Sequence, residues 1–150
     1  MPRPSRSGSP PGVPLRPADT KRPRMLVLDS GAVTRLAERS ARAAALIAAL
    51  RAEGLWPPVV PSVVLIECLI GEGSRDAAHN RFLRTCDVAD SVPVLLARRA
   101  AWLRAKARSG SAVDAFVTAA AEPGGTVLTG DLANLRAFAR HASNVTIEAI

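Results

Sequence analysis

Four carboxylates in this chain have the type and placement to do chemistry together: Asp29, Glu67, Asp114 and Asp131. Asp29 closes the apolar run MLVLD and is followed at once by the small residues Ser30 and Gly31. Asp131 closes TVLTGD in the same manner. In an open α/β sheet, ligands bind beyond the carboxyl ends of the strands. Acids in those two positions therefore face the place where chemistry is done. Glu67 is the only charged side chain between Glu53 and Glu72, inside PSVVLIECLIG. An ionised carboxylate among side chains that favour burial is costly unless it is paired or holds a cation. The plainer alternative puts Glu67 on an exposed face of a helix buried elsewhere. Asp114, in SGSAVDAFVTAAA, follows Ser111 by three residues, a capping-box spacing that also suits the helix dipole. Asp131 has a similar local explanation as a helix N-cap.

Carboxylates brought close together repel, and all ionise only with a cation between them. Oxygen-rich acidic sites suit Mg²⁺ or Mn²⁺, and such a metal activates water and steadies phosphoryl oxygens. No histidine base is then required. His79 sits mid-helix in a polar stretch and His141 near a helix C-terminus, and neither has a triad-like setting.

The elements that must position these acids can be read in order. Met25–Leu28 reads as a buried strand, followed by helical segments Ala32–Arg39 and Ser40–Glu53, the latter capped by Ser40. Pro57–Val60 reads as a strand, then come helices Val63–Ile70 and Arg75–Cys86 and a weak strand Val88–Val92. Helix Val94–Arg108 is expected to turn Leu95, Ala101, Trp102 and Ala105 inward, and Ala112–Glu122 is the next helix. Strand Thr126–Thr129, helix Leu132–His141 and strand Asn144–Glu148 complete the pattern. Alternation of this kind predicts an α/β fold, a parallel sheet of about five strands with helices on both faces.

The chain has 150 residues and a net charge of +7. Residues 1–24 hold seven of the twelve prolines and six of the twenty basic residues against one acid. This basic Pro/Arg/Ser-rich tail has little apolar surface with which to offset its ordering entropy and is expected to be disordered. It reads either as a dispensable tail or as a basic arm for nucleic acid, and Met25 reads as the start of the folded domain, residues 25–150. The two cysteines, Cys68 and Cys86, lack metal-type spacing and read as reduced core thiols. No apolar run is long enough to span a bilayer, and the N-terminus has no apolar core of a signal peptide. A cytoplasmic location is the expectation.

The segments LVLDSGAV, PSVVLIECLIG, AVDAFVTAAA and TVLTGDLANL, in this order and spacing, resemble a PIN-domain ribonuclease toxin of the VapC type, from Met25 to the C-terminus. The resemblance implies a PIN-like three-layer sandwich in which Asp29, Glu67, Asp114 and Asp131 form an acidic quartet holding Mg²⁺ or Mn²⁺. It implies an endoribonuclease that hydrolyses RNA phosphodiesters with metal-activated water. It also implies a cognate VapB-type antitoxin as partner, and a homodimer. Thr129 matches a position that helps arrange the metal site. Where many relatives carry a further acid, this chain has Asn134, which retains donor and acceptor atoms but not the charge.

Arg98, Arg99, Arg104, Lys106 and Arg108 cluster ahead of Asp114 and supply counter-charges of the kind a phosphate backbone needs; a solvated helix face has the same composition. With no Tyr and few other aromatics, platforms for stacking bases look poor. Rival readings are a PIN-shaped module that binds antitoxin or RNA without cutting, and a haloacid-dehalogenase-like phosphatase. The latter needs a second Asp at position 31, which is Gly. A dinucleotide site lacks its Gly-x-Gly-x-x-Gly signature.

Overall fold

A computed structural model describes residues 24–150, so the expectations for the basic tail lie almost wholly outside the described residues. Five parallel strands form one sheet in the order β3-β2-β1-β4-β5. Strand β1 (Leu26–Leu28) leads into helices α1 (Ser30–Ala37) and α2 (Ala41–Ala52). Then come β2 (Val59–Pro61), a 3-10 turn (Ser62–Val64), α3 (Leu65–Cys68), α4 (Ala77–Leu83) and β3 (Asp87–Ala89). Helices α5 (Val94–Ala107) and α6 (Ala112–Ala120), strand β4 (Thr126–Thr129), helix α7 (Leu132–Ala139) and strand β5 (Thr146–Ala149) complete the chain. The helices pack in two groups, α1 with α2, α3 and α4, and α5 with α6 and α7, giving the expected three-layer α/β sandwich.

Central strands explain the core. Leu26, Val27 and Leu28 are all buried, as expected of a strand covered on both faces. Val27 pairs with Val59 on one side and Val127 on the other. Helices bring Val33, Leu36, Leu103, Val117, Leu135 and Phe138 onto this sheet. The chain winds outward from β1 to β2 and β3, then returns to build β4 and β5 on the opposite side. The switch point therefore lies between the carboxyl ends of β1 and β4. Those ends carry Asp29 and the segment Thr129–Gly130–Asp131.

Capping holds these junctions. Ser40 accepts from the Ala43 N–H at 3.1 Å, as its position implied. Ser111 and Asp114 form a reciprocal capping box at the start of α6.

Two expectations need correction. The apolar side assigned to α5 faces outward: Leu95 is 82% and Trp102 44% exposed, while Ala100 and Leu103 enter the core. Helix α5 packs chiefly on the Ala-rich α6, and the small side chain of Ala100 is buried while the indole of Trp102 is not. The expected helix Val63–Ile70 is a 3-10 turn followed by only four α-helical residues. Only Val64 and Cys68 of that stretch are buried, so Ile66 and Ile70 are exposed, and Glu67 with them. Glu67 therefore incurs no burial cost, and its significance rests on what it contacts.

Candidate functional site

Asp29 is the one site acid that is buried, 5% exposed. It is the N-cap of α1, and its Oδ1 accepts from the Ala32 N–H at 2.7 Å. Its Oδ2 accepts a short hydrogen bond from the Thr129 hydroxyl, which itself is fully buried. Burial pushes the Asp29 carboxyl above its ordinary value; these donors pull it down, and the negative charge of Asp114 adds to the upward shift. Asp114 thus acts on Asp29 across the gap between α6 and β1.

Each of the other acids is held by a neutral group. Ser30, immediately after Asp29, donates from its Oγ to Glu67 Oε2 at 2.9 Å, which ties α3 to the start of α1. The Asp114 Oδ2 accepts from the Ser111 N–H at 3.2 Å, while the Ser111 Oγ accepts from the Asp114 N–H at 3.0 Å. Asp131 is exposed and caps α7; its Oδ2 accepts from Asn134 Nδ2 at 2.9 Å. The Asp131 N–H donates back to Thr129 Oγ1 at 2.8 Å. One threonine hydroxyl therefore connects Asp29, at the end of β1, to the loop that carries Asp131.

Two glycines allow the loops to meet. A Cβ on Gly31 would lie 3.1 Å from the Gly130 Cα and 3.5 Å from Asp29 Oδ1. Sequence reasoning named neither glycine as a site residue, nor Ser30; a small residue directly behind Asp29 and the TGD turn were the available signals.

Direct hydrogen bonds and charge link Asp29 to Thr129, Asp114 and the Asp131 loop, and Ser30 links Glu67 to the same junction. Among the described residues, however, no three His, Cys, Asp or Glu side chains stand close enough to grip one ion as they are placed. The donor chemistry still suits a hard cation: Asp29 is a buried carboxylate that feels the charge of Asp114, and Mg²⁺ commonly uses only one or two protein carboxylates and keeps its waters. His79 Nε2 lies 3.3 Å from Thr34 Oγ1, and no hydrogen bond joins either histidine to the acids among the described residues.

The arginines divide. Arg99 donates twice to Glu122, at 2.8 and 2.7 Å, and once to the His141 carbonyl. It is an internal tie rather than a free counter-charge. Glu122 in turn accepts from the Ser143 N–H at 2.6 Å, and the Arg99 guanidinium holds its carboxyl below the ordinary value. Sequence reasoning missed Glu122 because its place beside Pro123 marked it as part of a helix stop. Arg98, Arg104 and Arg108 are exposed on or beside α5 and form no ion pair among the described residues.

No protein-family model matches the chain, and a search of curated proteins finds no match. Among the described residues, no helix is long and apolar enough to cross a membrane.

Proposed function

We propose that this chain is a metal-dependent endoribonuclease of the VapC toxin type, acting in the cytoplasm on RNA phosphodiesters. The observation that carries the reading is Asp29: a buried carboxylate at the topological switch point, held by Thr129. An anion kept in such a place is stabilised best by a cation.

Asp29 and Asp114 are the residues that would hold Mg²⁺ or Mn²⁺, with Glu67 and Asp131 completing the acidic pocket. When bound, the metal supplies Lewis acidity and a water of lowered pKa for attack at phosphorus. The chain's own residues prepare that pocket. Thr129 and the Ala32 N–H fix both oxygens of Asp29. Ser30 orients Glu67, and Asn134 orients Asp131. Glu67 and Asp131 are exposed, so substrate and solvent reach the acids from that side. Arg98, Arg104 and Arg108 offer positive charge to the RNA backbone.

The partner proposals follow the surface. A cavity of about 400 Å³ between α1, α2 and α4 is floored by Leu36, Ile47, Trp56 and Phe82 and rimmed by Arg39, Arg51 and Arg81. An acidic amphipathic segment of a VapB-type antitoxin suits it. Exposed Ile66, Ile70 and Val94 are apolar residues a homodimer would cover.

Cleavage of total RNA by the purified chain with Mg²⁺ or Mn²⁺, beside Asp29→Asn and Asp114→Asn, tests the reading. Cleavage lost in both variants supports it; cleavage equal to the parent removes the site assignment. A second reading, a PIN-shaped module that binds RNA or antitoxin without cutting, draws on the absence of a ready three-acid cluster among the described residues. Tight antitoxin binding with neither RNA cleavage nor growth arrest on induction would favour it.

A further inference from the structure

The outward face of α5 contributes none of the four acids and has a composition of its own. Over Val94–Ala107 the helix carries four basic residues and no acid, and Arg108 follows. Leu95, Arg98, Trp102 and Lys106 fall at helical spacing on one stripe, all exposed. Trp102 is 44% exposed, the one aromatic among the large exposed apolar side chains of the described residues. The Arg99 guanidinium lies 4.4 Å from its ring centroid and the Lys106 ammonium 5.5 Å. Arg99 is not mobile there, because Glu122 and the His141 carbonyl hold it.

A pre-set indole, supported by a fixed planar guanidinium and flanked by unpaired cations, has the composition of a single-strand nucleic-acid platform. Such platforms combine aromatic stacking of bases with positive charge along the backbone. Arg98 and Lys106, eight residues apart, stand about 12 Å from each other along the helix. Both are free of ion pairs among the described residues. An acidic peptide would satisfy the cations but has no use for the ring.

We propose that the outer stripe of α5 is a second RNA-contact surface, separate from the acidic site, in which Trp102 stacks a base and Arg98 and Lys106 bind flanking phosphates. This rests on the ribonuclease reading and names a substrate-holding surface for it.

The test is binding of an unstructured single-stranded RNA oligonucleotide to the full chain carrying Asp29→Asn, in EDTA, so that binding is read without cleavage. Tryptophan fluorescence is expected to be quenched on titration. Trp102→Ala should abolish that quench, since Trp56 alone remains, and weaken binding about tenfold. Arg98→Ala with Lys106→Ala should reduce the slope of log K against log salt by about 1.4. Because Trp102 is partly exposed, circular dichroism should show all variants folded, and Lys106→Glu gives an independent loss of binding. Unchanged affinity and salt slope in these variants would overturn the proposal. So would displacement of the RNA by poly-glutamate at equal charge, or a shift from dimer to monomer on Trp102→Ala. Failure of the nuclease reading is separable: the parent would then bind RNA through this stripe and leave it uncut in Mg²⁺.

Discussion

Replacing Thr129 by valine puts the hydroxyl that organises the site to a direct test. Thr129 is fully buried, and valine has its shape and greater hydrophobicity. If the hydroxyl had no partner, Thr129→Val would stabilise the protein. Instead the hydroxyl donates to the Asp29 carboxylate and accepts from the Asp131 N–H at 2.8 Å. A hydrogen bond to a charged group contributes about 1.5–3 kcal/mol, and an unsatisfied backbone N–H costs up to about 1 kcal/mol more where water can partly replace the partner. The expected loss is about 3 kcal/mol at neutral pH, or a Tm lower by about 10 °C for a domain of this size. Thr129→Ser keeps both bonds and deletes one buried methyl, at about 1 kcal/mol.

The pH dependence has a defined sign. Burial raises the Asp29 carboxyl in the folded state, so its ionisation opposes folding as pH rises through that raised value. Thr129 is the largest opposing influence, and it stabilises the ionised form. The gap between the valine and serine variants should therefore be widest, about 2 kcal/mol, above the folded-state pKa of Asp29. It should shrink toward about 1 kcal/mol at acid pH, where a neutral carboxyl is bonded less strongly. RNA cleavage by the valine variant should fall about 10–100-fold, as when a partner that orients a metal ligand is lost. Thermal melts at several pH values and cleavage assays read both. A valine variant as stable and active as the serine variant, with no pH trend, would refute the assignment of Thr129.

Other outcomes follow from neighbouring contacts. Gly31→Ala should change Tm by less than about 3 °C, because the helix gain of up to about 1 kcal/mol is offset by the 3.1 Å approach to Gly130; activity should fall at least tenfold as the two loops separate. Glu122→Gln should cost about 1–2 kcal/mol at pH 7 in denaturant melts. The Glu122 carboxyl is depressed, so its contribution is full above the ordinary value of 4.5 and fades as pH falls through the lower folded value; the variant and parent should converge in acid. Saturating Mg²⁺ after EDTA should raise the parent's Tm, by about 2.7 kcal/mol of stability at a hundredfold excess over Kd, and leave Asp29→Asn with Asp114→Asn unmoved. Equal shifts in both proteins would place the ion elsewhere.

Much of the framework is visible in the sequence because local physics determines it. Strand Thr126–Thr129 and the caps at Ser40 and Ser111 depend on residues within a few positions of one another, and they stand where the sequence places them. Trp102 and Glu67 show the opposite. An indole reads as a core residue from its chemistry, but which face of α5 is buried depends on its packing against α6. Glu67 reads as buried only while its segment is taken for a full helix, and four α-helical residues do not bury a whole face.

The same division runs through the site itself. Every one of the four acids is held by a neutral polar neighbour: Asp29 by Thr129, Glu67 by Ser30, Asp114 by Ser111, and Asp131 by Asn134. For Asp114 and Asp131 the neighbour lies three residues away, so the pairing is a helix cap and looks merely structural in sequence. For Asp29 and Glu67 it lies 100 and 37 residues away, beyond the reach of any local pattern. Those two long-range bonds join the β1–α1 junction to the end of β4 and to α3. They bring a strand end, the loop that carries Asp131 and the segment that carries Glu67 to one junction. A helix cap alone needs no partner across the sheet. Committing the Thr129 and Ser30 hydroxyls to distant carboxylates, one of them buried, is the long-range feature on which the proposed cation site rests.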